Sequence, residues 1–130
     1  KILDITNGQL LHTLEGSAGP VAISGNLMAF VVSPDKKATI LKITKDTIQP
    51  LLTLTQETDQ ISNVTISGNK LVTVSGQRNK DDMLVPSNTA KVWDLNGQLL
   101  HTLVGHTKFI YKIAISDNLV VTGSRDNTVK

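Results

Sequence analysis

The octapeptide NGQLLHTL occurs twice in this chain of 130 residues, at 7–14 and again at 96–103. A second, looser repeat sets the period. The segments VAISGN, VTISGN and IAISDN place Ser24, Ser67 and Ser116 at equivalent positions, at intervals of 43 and 49 residues. The 89 residues between the octapeptides therefore span two periods of about 44. Self-similarity at this spacing predicts an array of supersecondary units stacked on one another.

Each unit has the pattern of four short strands. Thr, Val and Ile supply 15, 12 and 11 residues, and their β-branched side chains favour strands over helices. Gly and Asn tolerate positive φ, so the pairs at 7–8, 25–26, 68–69 and 96–97 suit hairpin turns. The sequence therefore predicts an all-β fold of β-propeller blades, each of four antiparallel strands, with three repeats of about 44 residues.

The chain is predicted to be a single three-blade propeller segment, residues 1–130. Blade one covers 20–54 and blade two covers 61–103, while blade three covers 109–130 and its remaining strands are equivalent to 1–14. The last residues of the chain, NTVK, followed by its first residues, KILDI, resemble the internal segment NTAKVWDL and are one residue longer. Two interpretations remain open. The chain is a portion of a longer propeller, or it closes a ring by self-association, with six blades from two copies or nine from three.

Composition argues against several classes of partner. Lys and Arg total 13 against 11 for Asp and Glu, with no basic run, so nucleic-acid binding is not expected. Cysteine is absent, which rules out disulfides and fits the expected cytoplasmic location. No apolar stretch approaches membrane-spanning length, so no membrane partner is expected.

No catalytic, cofactor-binding or metal site is predicted, and the chain is not expected to be an enzyme. His12 and His101 occupy equivalent positions of different repeats, whereas a catalytic or metal site needs side chains that converge. No Gly-x-Ser-x-Gly motif occurs. The adjacent Asp81 and Asp82 lack further oxygen ligands and are interpreted as solvated loop charges.

Residues 89–130 strongly resemble a WD repeat. They contain the Trp93-Asp94 pair, a Gly-His pair ending at His106, and the turn sequence GSRDNTVK. The resemblance implies that four side chains hold each blade together: a His, a Ser or Thr, an Asp and a Trp. By position it assigns His106, Thr122 and Asp126 to the third blade, whose Trp would lie past Lys130. In the blade of Trp93 it assigns Val74 to the hydroxyl position and Ser87 to the carboxylate position, so no blade has the full set.

The middle unit carries a long insertion, residues 76–88, between its second and third strands. The insertion mixes charges with an apolar stretch, a composition suited to protein contact; the alternative is a loop without a partner. By resemblance, it shares one rim of the propeller with the loops around the third blade, where aromatic and Arg side chains are favoured anchors. In the alternative, Phe109 and Tyr111 pack between blades. The candidate protein-binding residues are Arg78, Lys80, Met83, Leu84, Lys108, Phe109, Tyr111 and Arg125.

The predicted function is a non-catalytic, WD-repeat-like scaffold that mediates protein–protein interaction through this loop rim. Its partner is a protein or peptide, and no cofactor is needed. The alternative function is a self-assembling propeller unit that closes a ring as a homodimer or homotrimer.

Overall fold

The structure is a computed structural model that describes residues 1–15, 18–32, 37–55 and 60–130, without the side chains of Ala18, Gln77, Arg78, Leu84 and Pro86. The described residues form twelve strands: β1 (Ile2–Leu3), β2 (Leu10–His12), β3 (Ala18–Ser24), β4 (Leu27–Val32), β5 (Lys37–Ile43), β6 (Ile48–Thr53), β7 (Gln60–Ser67), β8 (Lys70–Arg78), β9 (Leu84–Asp94), β10 (Leu99–Leu103), β11 (Ile110–Ser116) and β12 (Leu119–Ser124). No helix long and apolar enough to cross a membrane occurs in this part of the chain.

The strands form two complete sheets and two hairpins. The first sheet has the order β3-β4-β5-β6 and the second the order β7-β8-β9-β10, both antiparallel. The pairs β1-β2 and β11-β12 are two-stranded hairpins, and Val129 adds a bridge to Gly123 beside β12. The all-β prediction of four-stranded antiparallel units is confirmed.

The core lies between successive sheets. On β8, Leu71 belongs to a buried cluster shared with the first sheet, whereas Val72 and Val74 belong to a cluster shared with Ile110 of β11. Successive side chains of a strand point to opposite faces, so β8 is covered on both sides, which explains why the adjacent Leu71 and Val72 are both apolar and both buried. The second sheet thus packs between the first sheet and the C-terminal hairpin.

The N-terminal hairpin packs on part of the remaining face of the first sheet. Ile2 packs against a cluster of Met28, Leu41 and Ile43. The ring atom Nε2 of His12 also lies 3.0 Å from the carbonyl oxygen of Thr44. The order along the array is therefore hairpin, sheet, sheet, hairpin.

The two octapeptides adopt the same structure, a turn followed by an outer strand. Their glycines, Gly8 and Gly97, have φ of 71° and 82°, a region in which other residues are strained. Leu10 pairs with Leu3 in β1-β2, and the equivalent Leu99 pairs with Trp93 in β9-β10. The N-terminal hairpin therefore has the same pairing as the two outer strands of the second sheet.

The insertion differs from its prediction as a loop, because most of it continues the sheet. Strands β8 and β9 extend into it, with Gly76 opposite Pro86 and Arg78 opposite Leu84. At the tip, the Asn79 side-chain oxygen accepts hydrogen bonds from the amides of Asp81 and Met83, at 2.9 and 3.0 Å. Backbone pairing and this side-chain bridge make the segment a projecting hairpin.

Candidate functional site

His106, Thr122 and Asp126 come together at the start of the C-terminal hairpin. Nδ1 of His106 lies 2.8 Å from a carboxylate oxygen of Asp126, and Nε2 lies 2.8 Å from the Thr122 hydroxyl. A carboxylate only accepts hydrogen bonds, so Nδ1 donates to it. His106 and Thr122 are both buried, and this network joins the chain before β11 to β12 and to the turn after it.

The carboxylate of Asp126 also stabilises the turn that follows it. The Thr128 hydroxyl donates to it, and so do the backbone amides of Thr107 and Thr128, at 3.0 and 2.9 Å. These donors, the Thr128 hydroxyl first and the His106 ring next, outweigh the opposing effect of burial and hold the pKa of Asp126 well below its ordinary value. Asp126 thus accepts four hydrogen bonds as an anion.

This pKa shift predicts a pH-dependent stability. The pKa of the carboxyl is about 3.9 in the unfolded chain and lower in the folded one. The stabilisation is therefore complete above the unfolded pKa and disappears as the pH falls through the folded pKa. We expect the free energy of unfolding, measured in urea by circular dichroism, to fall more steeply between about pH 5 and pH 3 in the wild type than in Asp126→Asn. The control Asp46→Asn, in an exposed turn, should keep the wild-type slope. Parallel curves for the wild type and Asp126→Asn would contradict the assignment.

The second sheet has its own buried hydrogen bond, between Trp93 and Thr73. The indole Nε1 donates to the Thr73 hydroxyl at 2.9 Å, and both side chains are buried. The assignment of Val74 to the hydroxyl position is therefore wrong, because Val74 points to the opposite face of β8. The Ser87 hydroxyl forms hydrogen bonds with the amide and the hydroxyl of Thr89. The Asp126 carboxylate forms the equivalent pair with the amide and the hydroxyl of Thr128.

Asp94 stabilises the turn of the second octapeptide. One of its carboxylate oxygens accepts hydrogen bonds from the amides of Asn96 and Gln98, both at 2.9 Å. At the first octapeptide, a carboxylate oxygen of Asp4 accepts a hydrogen bond from the amide of Thr6. The turn there is one residue longer than the turn at Asp94. Asp94 is thus a turn residue rather than part of the Trp93 contact.

The four candidates of the C-terminal hairpin, Lys108, Phe109, Tyr111 and Arg125, are here called the interaction rim. The Arg125 amide donates to the Phe109 carbonyl at 3.0 Å, and the Ser124 hydroxyl donates to the Lys108 carbonyl at 2.9 Å. Phe109 and Tyr111 are 43% and 51% exposed, so about half of each side chain is available for contact. The strand ends thus hold the rim in place while its side chains face solvent.

Tyr111 and Arg125 lie together at a shallow depression that Ser124 and Asn127 complete. The prediction did not include Ser124 and Asn127. The turn sequence SRDN contains both, and that short turn was the signal available for finding them. Among the described side chains, no group of three or more His, Asp or Glu is placed to hold a metal ion.

The candidates of the insertion lie on its projecting hairpin. Lys80 and Met83 are exposed at the tip, with Met83 at 60%. Arg78 and Leu84 lie on its strands, and their side chains are outside the described part of the structure. Near the base, the Asn88 side chain donates to the His106 carbonyl at 3.1 Å. The insertion is therefore attached to the chain segment that leads to the rim.

A comparison with protein-family models matches residues 97–130 to the WD domain, G-beta repeat. Residues 97–130 are therefore similar to a WD repeat. This WD repeat comprises β10, the His106 network and the C-terminal hairpin, so the resemblance noted from the sequence is confirmed there.

Similar proteins agree with this assignment. Mitochondrial division protein 1 of Pyricularia oryzae and that of Neurospora crassa are each 46% identical over 44 residues, which is 33% of this chain. The chain spans only 7% of the length of these curated relatives. Among solved structures, a chain of the Mitotic Checkpoint Complex matches with a TM-score of 0.61 and 16% identity, over 85% of this chain and 32% of that one.

The computationally designed Ika8 protein matches with a TM-score of 0.54 and 23% identity, over 98% of this chain and 50% of that one. At these identities the two solved structures support the fold alone. The WD repeat and its structural neighbours place the chain among propeller-like, all-β proteins.

Proposed function

We propose that the chain is a non-catalytic scaffold whose interaction rim binds a protein or peptide. The observation that carries this proposal is the depression where the exposed Tyr111 and Arg125 lie together beside Ser124 and Asn127. WD repeats generally serve as scaffolds for protein interaction, which supports the same function. Tyr and Arg side chains are also the residues that most often dominate binding energy at protein interfaces.

The chemistry of the rim favours an acidic partner segment. Lys108 and Arg125 bring two cationic side chains to it, and the nearby Asp126 already accepts four hydrogen bonds within the chain. A partner carboxylate can pair with the planar guanidinium of Arg125 through two hydrogen bonds. An aromatic or aliphatic side chain beside that carboxylate would pack on Tyr111.

The rim is also well ordered for binding. Its backbone is held by the hydrogen bonds of Arg125 to Phe109 and of Ser124 to Lys108. A surface that is ordered before binding loses less conformational entropy when its partner arrives. The projecting hairpin of the insertion, with Met83 at its tip, offers a second contact for a larger partner.

The test is a selection of displayed random peptides on the purified chain, followed by fluorescence anisotropy with the enriched peptides. Arg125→Ala and Tyr111→Ala should each weaken binding about tenfold or more, as truncation of a central interface residue does. The matched control is Asn118→Ala, which is exposed at the opposite end of the β11-β12 hairpin and should bind as the wild type does. Enriched peptides that bind the Arg125 and Tyr111 variants unchanged would contradict the proposal.

A second candidate function, assembly into a ring, is supported by the pairing of the two hairpins. The hairpin β1-β2 matches the outer half of the second sheet, and β11-β12 matches its inner half. Two copies joined head to tail would complete six sheets, within the usual range of about four to eight propeller blades. Such a ring would appear in solution as a single species of twice the 14.0 kDa mass of one chain.

A further inference from the structure

The depression of the interaction rim offers three hydrogen-bond donors that the chain itself does not use. They are the Tyr111 hydroxyl, the Arg125 guanidinium and the Asn127 side-chain amide, and none of them bonds to another described residue. Ser124, the fourth residue of the depression, is buried, and its hydroxyl already donates to the Lys108 carbonyl. The depression is thus a group of open donors around a serine whose hydroxyl is engaged.

A β-bulge positions Tyr111 at this site. The pairing of β11 with β12 shifts between Ile110 and Lys112, which leaves Tyr111 as the extra residue. A bulge redirects the side chain of its extra residue, and bulges are frequent beside functional sites. The ring lies beside Gly123 of β12, since a Cβ atom at that glycine would lie 3.9 Å from both Cζ and the hydroxyl oxygen. The hydroxyl is thus held close to the backbone of β12.

The other two units have different residues at these positions. The repeat places Ser62 and Val74 in the second unit where the third has Tyr111 and Gly123. Ser62 is also the extra residue of a bulge, but its hydroxyl bonds to two backbone carbonyls of β8, at 3.0 and 3.3 Å. The first unit has Gly19, without any side chain, at the position of Tyr111. The open hydroxyl and the glycine beside its ring therefore occur together in the third of these units.

The charges around the depression favour an anion. Arg125 lies in it, and the exposed Lys108 belongs to the same rim. The carboxylate of the adjacent Asp126 is 8% exposed and accepts four hydrogen bonds within the chain. An anion in the depression would therefore meet two cationic side chains, while the neighbouring negative charge is compensated by its own donors.

We propose that the depression binds the phosphate group of a phosphorylated serine or threonine in the partner segment. The proposal rests on the proposed binding function of the rim and names the group bound there. Arg125 can pair with two phosphate oxygens through its planar fork, and the third oxygen then accepts from Tyr111 and Asn127. A carboxylate has two oxygens, both engaged by the fork, and leaves those two donors to water. The phosphate charge of about −1.5 to −2 at neutral pH also matches two cationic side chains.

Two peptide libraries test this proposal on the purified 130-residue chain. Both have random flanking residues, with a fixed central phosphoserine in one and a fixed central glutamate in the other. Each enriched peptide is then measured by fluorescence anisotropy in its phosphoserine, glutamate and serine forms. We expect the phosphoserine form to bind about tenfold more tightly than the glutamate form, because it gains hydrogen bonds to a charged group. Equal or tighter binding of the glutamate form would overturn the proposal.

Two variants test the donors that distinguish phosphate from carboxylate. Tyr111→Phe removes only the hydroxyl, and Asn127→Gly removes the amide at a φ of 66°, which glycine adopts without strain. Each should weaken binding of the phosphoserine form by about threefold to tenfold and leave the glutamate form unchanged. The control Asn118→Ala, at the opposite end of the β11-β12 hairpin, should leave both affinities unchanged. Equal losses for the two peptide forms in both variants would overturn the assignment of these donors to phosphate.

Arg125→Ala and free phosphoserine separate this proposal from the binding function of the rim. If both peptide forms bind equally and both are lost in Arg125→Ala, the rim binds acidic segments and the phosphate assignment is wrong. If neither library yields a peptide that binds, both proposals are wrong. Free phosphoserine that binds as tightly as the enriched peptides would show a site for small anions, and a phosphorylated partner segment would then be the wrong occupant.

Discussion

Trp93→Ala should lower the free energy of unfolding by about 3–5 kcal/mol, as measured by urea denaturation followed by circular dichroism. The indole is 2% exposed and belongs to the cluster that joins the first and second sheets. Its removal would leave a cavity at that junction and would also remove the hydrogen bond to Thr73. Natural domains are stable by about 5–15 kcal/mol, so the variant would lose a large part of its total stability.

Two further variants separate the hydrogen bond from the packing. Thr73→Val keeps the shape of the side chain but leaves the buried indole N–H without its acceptor, which should cost about 1–3 kcal/mol. Trp93→Phe removes the donor and part of the ring. In the double variant both partners are gone, so its loss should be smaller than the sum of the two single losses. Additive losses would show that the hydrogen bond contributes nothing of its own.

Ile61→Ala should lower the free energy of unfolding by about 2–5 kcal/mol. Ile61 is fully buried, and its cluster also includes Ala29 and Ile40 of the first sheet and Leu71 of the second. Strand β7 packs against β3 and β4 of the first sheet, so the side chain stabilises the contact between sheets as well as its own sheet.

The control for this variant has the same chemistry in a different environment. Ile5→Ala removes the same atoms from a side chain that is 98% exposed, and its effect should stay within about 0.5 kcal/mol. Equal losses for the two variants in the same urea titration would mean that the junction between the sheets does not depend on Ile61.

Local pattern was sufficient to predict the four-stranded units. The octapeptide combines a glycine at positive φ with a strand, and its backbone requirements are met within a few residues of Gly8 or Gly97. Such a signal survives in a single sequence because it does not depend on distant contacts. The same reasoning predicted the turns that separate the apolar runs.

The hydroxyl that contacts Trp93 was misassigned by one residue. The three ISxN segments give a shift of 49 residues between the last two units, and that shift takes Thr122 to Thr73 rather than to Val74. In a strand, an error of one residue moves a side chain to the opposite face. Thr73 faces Trp93, and Val74 faces the cluster of the C-terminal hairpin.

The insertion could not be predicted correctly from composition. Its charges and its Gly and Pro residues are typical of a loop, yet Gly76 and Pro86 pair across an extended hairpin. Pairing between strands depends on contacts across the sheet, which a single sequence does not display. The exposure of Phe109 and Tyr111 was equally undecided, because it depends on which strands cover β11.

The shared structure of the two octapeptides has a consequence for how such a chain can change length. Each copy is a turn and outer strand with the same pairing partners, and each leads into the first strand of the next unit. A genetic exchange between the two copies would remove or add 89 residues, which is two whole repeats, and every turn at the junction would keep its sequence. Blades can therefore be lost or gained in pairs without a new joint having to evolve.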